Sequence, residues 1–151
     1  MSLPYENATS GDNAIKDMQK LLQGFGCNKF GQMMDWEKGE LLVQFEHRGR
    51  QVTAKASVNG YAKAWLKAHP YTNRTRGSQI DHERRAKKIG GVAVYSILRD
   101  WIKGQITAIE TGVLSFEGAF LGQIMLPSGQ TVLERVEQEK LLALPTSAMI
   151  Q

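Results

Sequence analysis

Residues 41–56 run Leu41-Leu42-Val43-Gln44-Phe45-Glu46-His47-Arg48-Gly49-Arg50-Gln51-Val52-Thr53-Ala54-Lys55-Ala56. Arg48-Gly49 suits a two-residue hairpin turn. Turning there sets Phe45 opposite Val52, Val43 opposite Ala54 and Leu41 opposite Ala56. All six are apolar and share one face, and a slip of one residue would scramble them. Upstream, Glu37-Lys38-Gly39-Glu40 suits a four-residue turn that pairs Trp36 with Leu41 and Met34 with Val43 on the same face, with Gln32 opposite Phe45 as the one misfit. Two independent turns that agree on one apolar face predict a three-stranded antiparallel meander. Its other face carries Lys29, Gln44, Glu46, Arg48, Gln51, Thr53 and Lys55, and is either solvated or a binding surface.

Helical spacing flanks the strands. Ser10 or Asp12 can cap a first helix running to about Gln23, with Ile15, Met18, Leu22 and Phe25 inward and Gly24 and Gly26 as its stop. Asn59-Gly60 reads as a turn, and Tyr61 to His69 as a short helix ended by Pro70. Residues 70–77 form a basic loop, expected to be mobile. Ser78 can cap a long helix over about 79–111, with Val94, Leu98, Ile102, Ile106, Ile109 and Val113 stepping by three or four. Gly90-Gly91 weakens that helix by roughly 1 kcal/mol per glycine relative to alanine and admits a bend. Ser115 opens another helix with Phe116, Ala119, Phe120 and Ile124 inward, and Leu126-Pro127-Ser128-Gly129 is a turn. Thr131 caps a last helix to about Leu144. The expected architecture is α+β: an N-terminal helix, a three-stranded antiparallel meander covered by the long helix, then C-terminal helices. Residues 1–11 read as a flexible lead-in, 12–144 as one domain and 145–151 as a tail.

The chain has 151 residues, enough to bury a core without staples, and its 42% hydrophobic and 23% charged content is that of a globular protein. Its one cysteine, Cys27, has no partner for a disulfide or a zinc site, and its N-terminus lacks the basic and apolar regions of a secretory signal. No apolar run reaches membrane-spanning length. A cytoplasmic location is the expectation.

Charge is unevenly placed. The net charge is only +4, but Arg48 to Lys88 holds eleven basic and two acidic residues, a net of +9, while the remainder holds eight and thirteen, a net of −5. Lys63, Lys67, Arg74, Arg76, Arg84, Arg85, Lys87 and Lys88 are interleaved with Tyr61, Trp65 and Tyr71. Cations neutralise phosphates, and aromatic rings stack on unpaired bases. Tyr71, on the loop, is the expected stacking ring. Arg84-Arg85 and Lys87-Lys88 fall early in the long helix, where the dipole disfavours cations. The competing readings are a solvated charged face, with Tyr61 and Trp65 in the core, and a surface for an acidic protein partner.

Catalytic patterns are scarce. A restriction-type nuclease core needs Glu-x-Lys on its third strand to hold Mg²⁺, and that strand reads Thr53-Ala54-Lys55. His69 and His82, thirteen apart, with Asp81 and Glu83, match no standard metal spacing. His69 is better read as lying at a helix end, and the two acids as complements to the long helix's dipole. Cys27 reads as a buried structural thiol. Phosphate-loop, HExxH and nucleophile-elbow patterns are absent from the sequence. No catalytic residue, metal or cofactor is expected.

Phe116-Glu117, Phe120-Leu121, Ile124, Leu126-Pro127, Gly129 and Thr131, led by Ile102-Lys103 and Ile109-Glu110-Thr111-Gly112, follow a pattern that resembles a set of small proteins of tailed bacteriophages and prophages. The Gly39 to Arg50 hairpin is also similar, and the resemblance covers about half of the chain. It implies a phage or mobile-element origin and a bacterial host cytoplasm, and it supplies no catalytic residue. In the order of its elements, the helix–meander–helix is similar to double-stranded-RNA-binding domains. The three-strand-plus-helix core is likewise similar to single-strand-annealing proteins. Fold alone does not carry function.

The expectation is therefore a non-enzymatic, backbone-directed nucleic-acid binder using Lys63, Lys67, Tyr71, Arg74, Arg76, Arg84, Arg85, Lys87 and Lys88. The alternative is a module that binds an acidic protein through the same face. Leu133, Val136, Leu141, Leu142 and Leu144 offer a C-terminal apolar surface for a homo-oligomer.

Overall fold

The computed structural model describes residues 2–143. Helix α1 (Gly11–Phe25) precedes strands β1 (Lys29–Asp35), β2 (Glu40–His47) and β3 (Arg50–Ser57). Helices α2 (Val58–Ala68) and α3 (Gln79–Glu110) follow, then α4 (Phe116–Phe120), a 3₁₀ turn (Leu121–Gln123) and α5 (Val132–Gln138). The sheet is antiparallel in the order β1-β2-β3, so the architecture is α+β.

The β2–β3 register is the expected one, with Phe45 facing Val52, Val43 facing Ala54 and Leu41 facing Ala56. Arg48 and Gly49 both adopt positive φ, 49° and 79°, as a two-residue hairpin turn with matching twist requires. The β1–β2 register differs from expectation by two residues: Phe30 faces Phe45, Gln32 faces Val43 and Met34 faces Leu41. The turn is Trp36–Gly39, not 37–40, and tertiary contacts hold it there. Lys38 N–H donates to Asp35 Oδ1 at 2.9 Å. The Gly39 carbonyl accepts from Val58 N–H at 2.8 Å and Asn59 N–H at 3.1 Å, tying the turn to the start of α2. Gly39 has φ +64°, and a Cβ there would stand 2.2 Å from the Asn59 amide nitrogen. A two-residue shift keeps every side chain on its face. It also moves Trp36 out of the strand and into the turn, where the residue is 88% exposed.

Asn59-Gly60 is likewise the first turn of α2 and not a separate turn, because Ser57 Oγ accepts from Gly60 N–H at 2.8 Å and caps the helix directly off β3. Helix α3 is continuous. Its length, about 48 Å at 1.5 Å per residue, carries it from the sheet's apolar face out along α2. Val94, Leu98, Ile102 and Ile106 pack on Leu41, Val43, Phe45 and Val52, with Met18 and Leu22 of α1 in the same cluster. A second, smaller cluster joins Ala62 and Trp65 to Ala86, with Leu3, Tyr61, Leu66 and Ile89 around it. Val113, expected to extend the α3 stripe, lies past the helix end and is exposed.

The C-terminal segment is more extended than expected. Helix α4 stops at Phe120, and Ile124 forms an antiparallel bridge with Val52 at the edge of β3. Helix α5 opens on a Thr131–Glu134 capping box and ends at Gln138, short of the expected Leu144, which lies outside the described residues, as does the expected tail. The Thr131 backbone N–H, together with Lys55, holds the Glu134 carboxyl down at about 2. Residues 3–6, assigned to the lead-in, make tertiary contacts: Tyr61 Oη donates to the Pro4 carbonyl at 2.6 Å and Tyr5 Oη to Asp100 at 2.6 Å.

The Gly90-Gly91 pair resolves into two roles. A Cβ at Gly90 would lie 3.0 Å from the Val58 carbonyl oxygen and 3.4 Å from the Ala62 nitrogen, whereas one at Gly91 meets nothing within 4 Å. Gly90 therefore permits α2 and α3 to touch backbone to backbone. Gly90→Ala is expected to destabilise the fold by roughly 1–3 kcal/mol through overpacking. Gly91→Ala should stabilise it by up to about 1 kcal/mol through helix propensity. Urea unfolding midpoints of the two variants check this, and equal shifts would refute the assignment.

His47 is buried against Phe25, at 4.2 Å centroid to centroid, and Phe116, at 5.3 Å, its ring stacked with both. Burial, with Arg48 adding to it, holds the imidazole below the ordinary histidine range. The unfolded chain then binds this proton more readily, so the contribution is complete above about pH 6.5 and is lost as pH falls below it. The urea midpoint should drop between about pH 7.5 and pH 5, and His47→Phe should narrow that drop. A drop of unchanged size in the variant would remove His47 as its source. The Glu134 contribution lies in a separate window, lost as pH falls from 4.5 towards 2.

Candidate nucleic-acid interface

Helices α2 and α3 form an antiparallel hairpin whose far end holds the predicted site. Pro70 ends α2, and the chain crosses to Ser78, whose hydroxyl accepts from Asp81 N–H while the Asp81 carboxylate accepts from Ser78 N–H, both at 3.1 Å. These bonds hold the Asp81 carboxyl below the usual carboxylate range, with Arg84 and Arg85 contributing after them. The segment expected as a mobile loop carries its own bonds. Thr72 N–H donates to Thr75 Oγ1 at 2.9 Å, Thr75 N–H to the Thr72 carbonyl at 2.9 Å, and Arg74 N–H to Thr72 Oγ1 at 3.3 Å. The Thr-x-x-Thr spacing is the signal that could have announced this turn.

Beneath the loop lies an aromatic and histidine cluster. His82 is 4% exposed, and its Nε2 donates to the His69 carbonyl at 2.6 Å, which assigns the proton to that nitrogen. The Trp65 ring stands 4.7 Å from His69 and 5.0 Å from His82, and Tyr71 stands 5.8 Å from His82. His69 Nε2 faces the Glu6 carboxylate at 3.1 Å. The two histidines thus brace the hairpin end. Among the described residues no group of three His, Cys, Asp or Glu is placed to hold a metal. Cys27 is half-buried, not fully buried as expected, and burial pushes its thiol up to about 11, leaving it protonated near neutral pH.

All nine predicted site residues are exposed. Tyr71 is only 39% exposed, and its hydroxyl donates to the Gly77 carbonyl at 3.0 Å, so the expected stacking ring is part of the loop's own framework. The eight cations do not share one face. Lys63 and Lys67 stand about 140–160° around α2 from Ala62 and Trp65, or 100° at the nearest. Arg84 and Lys88 stand about 160° around α3 from Ala86. Since Ala62, Trp65 and Ala86 pack against one another, the two sets point away from each other. Arg85 and Lys87 flank α3, and Arg74 and Arg76 sit on the connecting turn. The charge surrounds the end of the hairpin instead of forming a single track, because the helices spend their inner faces on each other.

The environment separates these cations from others in the chain. Arg50 pairs with Glu117, Lys55 with Glu134 at 2.9 Å, Arg99 with Asp100 at 3.0 Å and Asp17 at 3.6 Å, and Arg135 with Glu139 at 2.8 Å. Among the described residues, none of the eight hairpin cations forms an ion pair. Arg50 and Lys55, which sequence reading pooled with the basic segment, are neutralised by the C-terminal helices.

No protein-family model, curated protein or solved structure matches this chain. Among the described residues no helix is long and apolar enough to cross a membrane.

Proposed function

We propose that the chain is a non-enzymatic nucleic-acid-binding accessory protein of phage or mobile-element type, acting in the host cytoplasm and holding the phosphate backbone with weak sequence preference. One observation carries this reading: eight exposed cations crowd the end of the α2–α3 hairpin unpaired, while most carboxylates are engaged elsewhere or lie apart from it. Like charges held together repel, and a polyanion relieves that repulsion while releasing its counterions. The resemblance to phage proteins supports the origin part of the proposal alone.

Fluorescence anisotropy with labelled oligonucleotides across a salt series tests it. Binding should weaken along a log–log line with a slope of about −0.9 per duplex phosphate neutralised. Arg84→Glu/Arg85→Glu should lose about tenfold or more in affinity, as expected when two phosphate contacts become repulsive, while its circular dichroism melt stays unchanged. Wild-type affinity in that variant would move the interface elsewhere. No binding at low salt, with stoichiometric capture of an acidic protein from nuclease-treated host lysate, would favour the protein-binding alternative. Leu133, Leu141 and Leu142 are exposed and extend the proposal to a homo-oligomer, which light scattering reads directly.

A further inference from the structure

The shape of the hairpin end narrows the kind of nucleic acid it fits, if the reading above holds. A single-strand site needs a groove that tracks the backbone and open rings for unpaired bases. Here the cations stand on the outward faces of two helices and on a protruding turn. The aromatic rings are committed: Trp65 is buried against His69 and His82, and Tyr71 is held by Gly77. Tyr71 is the one exposed ring among the described residues of the hairpin end, too few for a track of successive unpaired bases, so its chemistry suits stacked, paired bases.

The arginines and lysines are also sorted. Arg74 and Arg76 occupy the turn, two residues apart, and the turn is braced at its base by the Thr72–Thr75 bonds and the Tyr71–Gly77 bond. Gly77 has φ +84°, and a Cβ there would stand 3.0 Å from Asp81 Oδ2, so the loop is seated tightly on the α3 cap. Lys63 and Lys67 lie on one outer flank, and Arg84 and Lys88 on the other. A pair of packed helices, roughly 20 Å across, is too wide to enter a minor groove of about 6 Å, but arginine side chains carried on a braced turn can. Guanidinium is weakly hydrated and is drawn to the enhanced negative potential of a narrow minor groove, which A·T-rich B-form DNA provides. A-form RNA offers a wide, shallow minor groove without that potential.

We propose that the end of the α2–α3 hairpin binds double-stranded DNA, with Arg74 and Arg76 entering a narrow, A·T-rich minor groove while Lys63 and Lys67 on one flank and Arg84 and Lys88 on the other contact phosphates of the two strands. The preference is for groove width, not for a base sequence, so it remains compatible with weak sequence specificity.

The test uses the full chain and labelled probes of equal length: an A·T-rich duplex, a G·C-rich duplex, an RNA duplex and a single DNA strand. The A·T-rich duplex should bind about tenfold tighter than the G·C-rich one, an energy in the range of shape readout, and a minor-groove drug such as distamycin should displace the protein. Arg74→Lys/Arg76→Lys keeps both charges on an exposed turn. It should lose more affinity for the A·T-rich duplex than for the G·C-rich one, so that the A·T preference disappears. Equal affinity for the two DNA duplexes, or tighter binding to the single strand or to the RNA duplex, would overturn this proposal and leave backbone binding standing. Retained discrimination in the lysine variant would overturn the assignment to Arg74 and Arg76. Failure to bind any probe would remove the nucleic-acid reading itself, and this proposal with it.

Discussion

At Gly90 the long helix α3 comes so close to the first turns of α2 that a Cβ would stand 3.0 Å from the Val58 carbonyl oxygen. This approach sets the geometry of everything beyond it. Val58 is also the residue whose N–H reaches back to Gly39, so the β1–β2 turn, the start of α2 and the middle of α3 meet at one place. On one side of that point α3 serves the sheet, through Val94, Leu98, Ile102 and Ile106. On the other side it serves only the hairpin, through Ala86 and Ile89 against Ala62 and Trp65. Glycine costs an isolated helix about 1 kcal/mol against alanine, and here the close contact it permits offsets that cost.

The hairpin end is held by polar and aromatic contacts in place of a large core. His82 and His69 are joined by a hydrogen bond, Trp65 lies against both, and the Ser78–Asp81 capping box closes the start of α3. Leu3 and Pro4 reach this region from the N-terminus, and Glu6 meets His69. Such a frame holds the turn bearing Arg74 and Arg76 in place while leaving its side chains uncovered. At the hairpin end Asp81 is held by its cap to Ser78, whereas away from it Glu117 pairs with Arg50 and Glu134 with Lys55. The pairing compensates the charge along the third strand and leaves that of the hairpin end uncompensated.

Much of the fold was legible because its signals are local. The Arg48-Gly49 turn and the alternation around it state the β2–β3 register outright, since both strands carry apolar residues at every second position. Ser78, Ser115 and Thr131 act as the helix caps their spacing suggested, and of the two candidates Ser10 and Asp12 it is Ser10 that caps the first helix. The β1–β2 register differs from expectation by two residues because parity is satisfied either way: Trp36 opposite Leu41 looks as apolar on paper as Met34 opposite Leu41. Of the candidate site, the residue types and their exposure were legible, but the bond from the Tyr71 hydroxyl to Gly77 was not, since it depends on the loop's closure.

The sequence by itself determined which segments become helix and strand, which residues of the β2–β3 hairpin face inward, and that cations gather between residues 48 and 88. Periodicity, turn chemistry and composition act over a few residues and need no knowledge of what lies opposite. Only the tertiary structure decided which of those cations are neutralised and which stand free. The deciding carboxylates sit 67 residues from Arg50 and 79 from Lys55 along the chain. It alone also turned Lys63 and Lys67 away from Arg84 and Lys88, because the face a helix leaves to solvent is set by the neighbour that takes its other face.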